Sequence, residues 1–97
     1  MMNTGIRSQV IDEICALAVR HDMQRVILFG SRARGNFNRV SDIDLAVSGG
    51  NVKRFALDVE DLTSTLLRYD VVDLDRCSSD ALLGEIQREG IILYEKV

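Results

Sequence analysis

The sequence predicts a small α/β (α+β) fold, a mixed β-sheet with helices mainly on one face. Three observations lead there. Apolar residues recur at helical spacing in three separate stretches. Short apolar or alternating runs stand between and after them, giving the order α-β-turn-β-α-β-α-β. The 97 residues can bury only one modest core, roughly 60–65% of the surface that the unfolded chain exposes. Residues 1–97 therefore read as one domain, without room for a second, substrate-binding one.

Each element has its own signal. Ile6, Val10, Ile14, Leu17 and Ala18 share one face of an opening helix that runs to about His21. Arg25–Phe29 (RVILF) is a short apolar run ended by Gly30, the pattern of a buried strand. Ser31–Arg34 can form a helical turn before Gly35, and Asn36–Ser41 is a polar loop. Asp42–Val47 alternates, so Ile43, Leu45 and Val47 face the helices while Asp42, Asp44 and Ala46 face away, on the uncovered side. After the Ser48–Asn51 turn, Val52–Arg68 carries Phe55, Val59, Leu62 and Leu66 on the apolar side of a second long helix. Tyr69–Asp75 returns to strand character. Ser79–Glu89 is a third helix with Ser78 or Ser79 as N-cap and Gly90 beyond its end, and Ile91–Tyr94 is a last strand.

Composition narrows the function classes. A net charge of -3 argues against a general nucleic-acid-binding surface. Cys15 and Cys77 belong to no metal-spaced cluster, and Cys15 lies among apolar helix residues as a reduced, buried thiol would. Nothing resembles a signal peptide, and no apolar run approaches the ~20 residues that span a bilayer. A cytoplasmic location is the expectation.

The chemistry is concentrated in Phe29–Val47, FGSRARGNFNRVSDIDLAV. Two carboxylates at i, i+2 on a strand project the same way, about 7 Å apart at their Cα atoms. Left bare, Asp42 and Asp44 repel; a hard cation shared between them removes that cost. Two such cations about 4 Å apart can clamp the attacking and leaving oxygens of an in-line phosphoryl displacement. Gly30 and Ser31 suit the other end of a polyphosphate, since glycine admits close approach and the hydroxyl and following amides donate to phosphate oxygens. Arg32 and Arg34 add cations in the same turn; Arg32 can equally meet a partner protein or stand in solvent. A lone Gly-Ser or a lone Asp-x-Asp is usually only a turn or a solvated strand face. Their order and spacing here make one site.

GSRARG followed by SDIDL resembles the minimal nucleotidyltransferases of the DNA polymerase β nucleotidyltransferase superfamily. That pattern has an apolar residue, Gly-Ser, roughly ten residues, Asp-x-Asp and a third acid on a later strand. Phe29, Gly30, Ser31, Asp42 and Asp44 match it, YDVVDL (Tyr69–Leu74) supplies the third element, and the closing REGIILYE is also similar. The resemblance implies a nucleotidyltransferase fold and Mg²⁺-dependent transfer of AMP from ATP, with two Mg²⁺ ions. It implies Asp42, Asp44 and a third acid as catalytic metal ligands; with it, Gly30, Ser31, Arg32 and Arg34 are read as the nucleotide-binding turn. Small members of this kind are antitoxins paired with a HEPN-domain RNase toxin, on which they adenylylate a tyrosine. A chain this short has no second domain to enclose the acceptor, so a partner or an oligomer would complete the pocket. The alternative is a binding module that neutralises its partner by occlusion, with little or no turnover.

Two arguments compete for the third acid. Strand parity places Asp70, Val72 and Leu74 on one face and Tyr69, Val71, Asp73 and Asp75 on the other. Burying Val72 and Leu74 under the helices would turn Asp73 toward Asp42 and Asp44. The family pattern instead selects Asp70, leaving Asp73 near the strand end with a cation such as Arg76. Asp70 is the choice, because parity in a short strand is easily upset by a bulge or twist. The remaining polar residues have ordinary readings. His21 meets a helix C-terminus, Glu60 and Asp61 lie on a solvated face, and Ser41 shapes the loop before Asp42.

Overall fold

Among the described residues, 3–97, the computed structural model contains α1 (Ser8–Arg20), β1 (Arg25–Phe29), α2 (Gly30–Arg34), β2 (Ile43–Ser48), α3 (Val52–Leu62), β3 (Tyr69–Asp73), α4 (Asp80–Glu89) and β4 (Ile91–Glu95). The strands form one mixed sheet in the order β3-β2-β1-β4. β1 pairs antiparallel with both β2 and β4, whereas β2 and β3 run parallel, joined through α3. Among the described residues no helix is long and apolar enough to cross a membrane.

Strand alternation divides the apolar residues between the two faces of this sheet. Val26, Leu28, Ile43, Leu45 and Val47 pack beneath α1 and α3, where they meet Val10, Ile14, Leu17, Phe55 and Val59. All ten are at least nine-tenths buried, so this face carries the main core. The opposite face holds a smaller cluster of Ile27, Phe29 and Ala46, capped by Ile86 of α4 with Leu82, Val72 and Leu74 beside them. The face expected to be uncovered is therefore roofed in part by α4. Ser79 caps that helix, accepting the Leu82 amide at 3.2 Å.

The second long helix stops six residues earlier than its periodicity predicts. α3 ends at Leu62, and Leu62 and Leu66 are exposed rather than buried. Hydroxyl chemistry explains the stop. The Thr63 hydroxyl bonds back to the Val59 carbonyl at 2.6 Å and contacts the Tyr69 hydroxyl at 2.7 Å. Glu13 of α1 then takes both the amide (2.7 Å) and the hydroxyl (2.6 Å) of Ser64. These side-chain bonds compete with the helical ladder and turn the chain toward β3. β3 is likewise two residues shorter than expected: the Asp73 carboxylate accepts the Asp75 amide at 3.0 Å and ends the strand in a turn.

Candidate active site

The carboxylates come together through strand register. Asp44 lies opposite Phe29 on β1 and opposite Asp70 on β3. Side chains paired across neighbouring strands share a face, so Asp70 stands beside Asp44 while Asp73, paired with Val47, belongs to the other face. Asp73 instead lies 3.8 Å from Arg76 and shapes the turn after its own strand. Asp42 stands one residue before β2 and is exposed, as is Asp70.

The competition between burial and the family pattern at β3 dissolves in this geometry. Val72 and Leu74 are indeed covered by a helix, but that helix is α4, on the carboxylate face. Their burial therefore turns Asp70, not Asp73, toward Asp44.

Asp44 is the electrostatic centre. Its carboxyl is pushed up to about 6 from the ordinary 3.8, first by burial and then by the charges of Asp70, Asp42 and Glu85; Arg34 pulls the other way. Gly30 makes this packing possible. Its φ of +73° suits glycine, and a Cβ there would run into the Asp44 carboxylate. The Gly-Ser step thus admits the aspartate as well as the turn. Ser31 follows in α2, half-buried, with its carbonyl accepting the Gly35 amide at 2.9 Å.

The two arginines of the turn part company. Arg34 reaches α4 and pairs with Glu89 at 3.1 Å and Glu85 at 3.5 Å, remaining partly exposed beside the carboxylates. Arg32 is 1% exposed, so the solvated reading fails. Its Nε and Nη1 donate to the carbonyls of Ser41 and Thr4, each at 2.9 Å, and the guanidinium lies 5.0 Å from the Phe37 ring centroid. With those donors committed to backbone and the side chain buried, Arg32 does not present them to a phosphate. The sequence pattern alone does not single out Glu85 and Glu89. Their i, i+4 spacing marks one face of α4, but only the side of the sheet on which α4 packs gives that face meaning.

Ser41 does shape the loop: its hydroxyl accepts the Asn38 amide at 2.9 Å. His21 ends α1 but also contacts Asp58 of α3 at 2.7 Å, tying the two core-face helices together. Asp42 borders an open pocket of about 810 Å³, lined also by Arg7, Val40, Leu66 and Arg68.

No three acidic, histidine or cysteine side chains among the described residues stand close enough to form a ready-made metal cage. Mg²⁺ seldom uses one: it keeps several waters and takes one or two carboxylates together with substrate phosphates. The oxygen-only donors around Asp44, with their excess of negative charge, fit a cation that arrives with a nucleotide.

A mixed sheet with a Gly-Ser turn set against paired acids is the arrangement expected of a nucleotidyltransferase. The chain belongs to the polymerase beta nucleotidyltransferase family, whose pattern matches residues 11–97. A Methanocaldococcus jannaschii protein whose name proposes a protein adenylyltransferase is 32% identical, across 77% of this chain and 82% of its own length. Among solved structures, a toxin–antitoxin complex with AMP-PNP superposes with a TM-score of 0.71 at 27% identity, covering 89% of this chain and 73% of that one. A minimal nucleotidyltransferase gives a TM-score of 0.65 at 33% identity, covering 84% and 86%.

Proposed function

We propose that this nucleotidyltransferase moves AMP from Mg·ATP to a tyrosine hydroxyl on a HEPN-domain RNase toxin and so serves as its antitoxin. The register that sets Asp70 beside Asp44, with Gly30 packed against the same carboxylate, carries this reading. The toxin–antitoxin complex with AMP-PNP and the adenylyltransferase name of the archaeal relative support the direction.

In the reaction, the acceptor oxygen forms a bond to the α-phosphorus, the bond to the β-phosphate oxygen breaks, and pyrophosphate leaves. Asp42, Asp44 and Asp70 would hold the Mg²⁺ ions, which when bound neutralise the phosphates and stabilise the attacking and leaving oxygens. Gly30 and Ser31 hold the polyphosphate, and Arg34 remains near enough to add positive charge. Exposed Asp70, on an edge strand, is open to an incoming hydroxyl and can take up its proton. The acceptor segment enters past Asp42, where the open pocket leaves room for a partner's chain.

The decisive comparison is between two single variants, assayed with α-labelled ATP and purified toxin. Asp70→Asn is expected to remove label transfer. Asp73→Asn, which loses its contact with Arg76, keeps transfer and lowers stability. The reverse pattern would overturn the assignment of the third acid. Full neutralisation of the toxin by the transfer-dead protein would establish occlusion instead.

A further inference from the structure

We infer that Arg32 is a positioning residue for Asp42: its buried guanidinium sets the loop that delivers this carboxylate to the site. The observation is an uncommon use of a cation. Burying a guanidinium is strongly unfavourable unless its donors are satisfied. Among the described residues no carboxylate lies within ion-pair distance of Arg32. Backbone dipoles take that place. Nε holds the carbonyl of Ser41, the residue immediately before Asp42, and Nη2 lies 3.4 Å and 3.5 Å from the carbonyls of Asn38 and Arg39. Nη1 holds Thr4, and the Phe37 ring, from the same loop, has its centroid 5.0 Å from the guanidinium carbon. Gly5 closes the assembly, since a Cβ there would strike the Phe37 ring and lie 2.7 Å from Nη1.

The loop's own bonds cannot do this alone. Ser41 and Asn38 exchange bonds with each other, and the Asn38 side chain takes the Val40 amide. Those bonds fold the loop on itself without fixing it to the rest of the protein. The Asn36 amide ties the start of the loop to the Ser31 carbonyl at 3.2 Å, and Arg32 attaches its far end, next to Asp42. It extends from the turn carrying Gly30 and Ser31, so the nucleotide turn and the Asp42 carboxylate move as one unit. Its charge also reaches both acids: burial pulls its proton affinity down, while Asp42 and Asp44 push it back up. A lysine would keep the charge but not the planar fork that spans several carbonyls.

The metal part of this inference rests on the proposed role of Asp42, so the test includes a readout that does not. Amide hydrogen exchange is measured in metal-free wild-type and Arg32→Lys proteins, alongside Mn²⁺ affinity with AMP-PNP by electron paramagnetic resonance. Exchange across residues 36–42 is expected to accelerate about tenfold in the variant, with β1 and α3 unchanged. Mn²⁺ affinity should fall about tenfold, as when a ligand loses its supporting contact. The rate constant kcat should fall while KM for ATP stays within about twofold. If Arg32→Lys fails to fold, Phe37→Leu, which keeps the guanidinium bonds, gives smaller shifts in the same direction. Unchanged loop exchange would overturn the inference, and a raised KM for ATP at unchanged kcat would make Arg32 a phosphate contact. If wild-type Mn²⁺ binding is insensitive to Asp42→Asn, the metal assignment fails, and loop exchange still decides the role of Arg32.

Discussion

The two faces of the sheet are built from the same strands, and they differ in what burial achieves. Beneath α1 and α3, the inward residues of β1 and β2 are apolar and fully buried. On the other face, α4 seals the half over Ile27 and Ala46, and the half with Asp44 and Asp70 is left to polar groups. One face binds the molecule together; the other holds charge that the fold alone does not stabilise. Because strand side chains alternate, each pair of neighbouring residues along β2 serves both purposes at once.

The sharpest way to break the comparison is to damage the core face. Phe55 is fully buried against β-strand residues, and Phe55→Ala should cost about 4 kcal/mol by lost burial and the cavity left behind. That is a large share of the ~5–15 kcal/mol that typically holds a domain together. Urea titration followed by circular dichroism should show the midpoint collapsing, with loss of transfer following only from unfolding. A change below about 1 kcal/mol would mean that the main core lies elsewhere.

A substitution on the site face should act with opposite sign. Asp44 carries a raised proton affinity in the folded protein, so the folded state binds a proton more tightly than the unfolded chain does. The charge therefore destabilises above about pH 6, and the penalty fades as pH falls from about 6 toward the ordinary 3.8. Without divalent ions, Asp44→Asn should raise stability at pH 7.5 by about 1 kcal/mol, allowing for the water that reaches this half-buried group. The gain should vanish near pH 4 while label transfer is lost at every pH. Thermal melts in EDTA across that range check the sign; a variant less stable than wild type at pH 7.5 would contradict it.

Much of this was legible in the sequence because local pattern and global fold agree over Phe29–Val47. The apolar run, the Gly-Ser break and the alternation after Ser41 each translate into one structural feature. The failures fall where tertiary contacts override local pattern. Leu62 and Leu66 continue a helical period, but Glu13, fifty-one residues from Ser64, captures the chain end that would extend the helix. The parity conflict at β3 could not be resolved without knowing that α4 crosses to the carboxylate face. In GSRARG, Arg32 reads as a cation for phosphate, a partner or solvent, since nothing local reveals that Thr4 and Phe37 close over it.

The smallest expected effect on stability sharpens the comparison most, because it separates nucleotide binding from both packing and charge. Ser31 begins the turn after Gly30, and its main chain already serves the fold: the carbonyl accepts the amides of Gly35 (2.9 Å) and Asn36 (3.2 Å). Ser31→Ala preserves those bonds, suits a helical turn and removes no charge from the Asp44 cluster. The melting temperature should therefore move by less than that of either earlier variant. The hydroxyl is what a phosphate oxygen would use, and losing one such hydrogen bond is worth about 1–2 kcal/mol. Calorimetric titration with AMP-PNP and Mg²⁺ should thus show affinity falling about five- to thirtyfold at unchanged stability. Unchanged affinity would remove Ser31 from the nucleotide turn, leaving Gly30 as a residue that serves Asp44 alone.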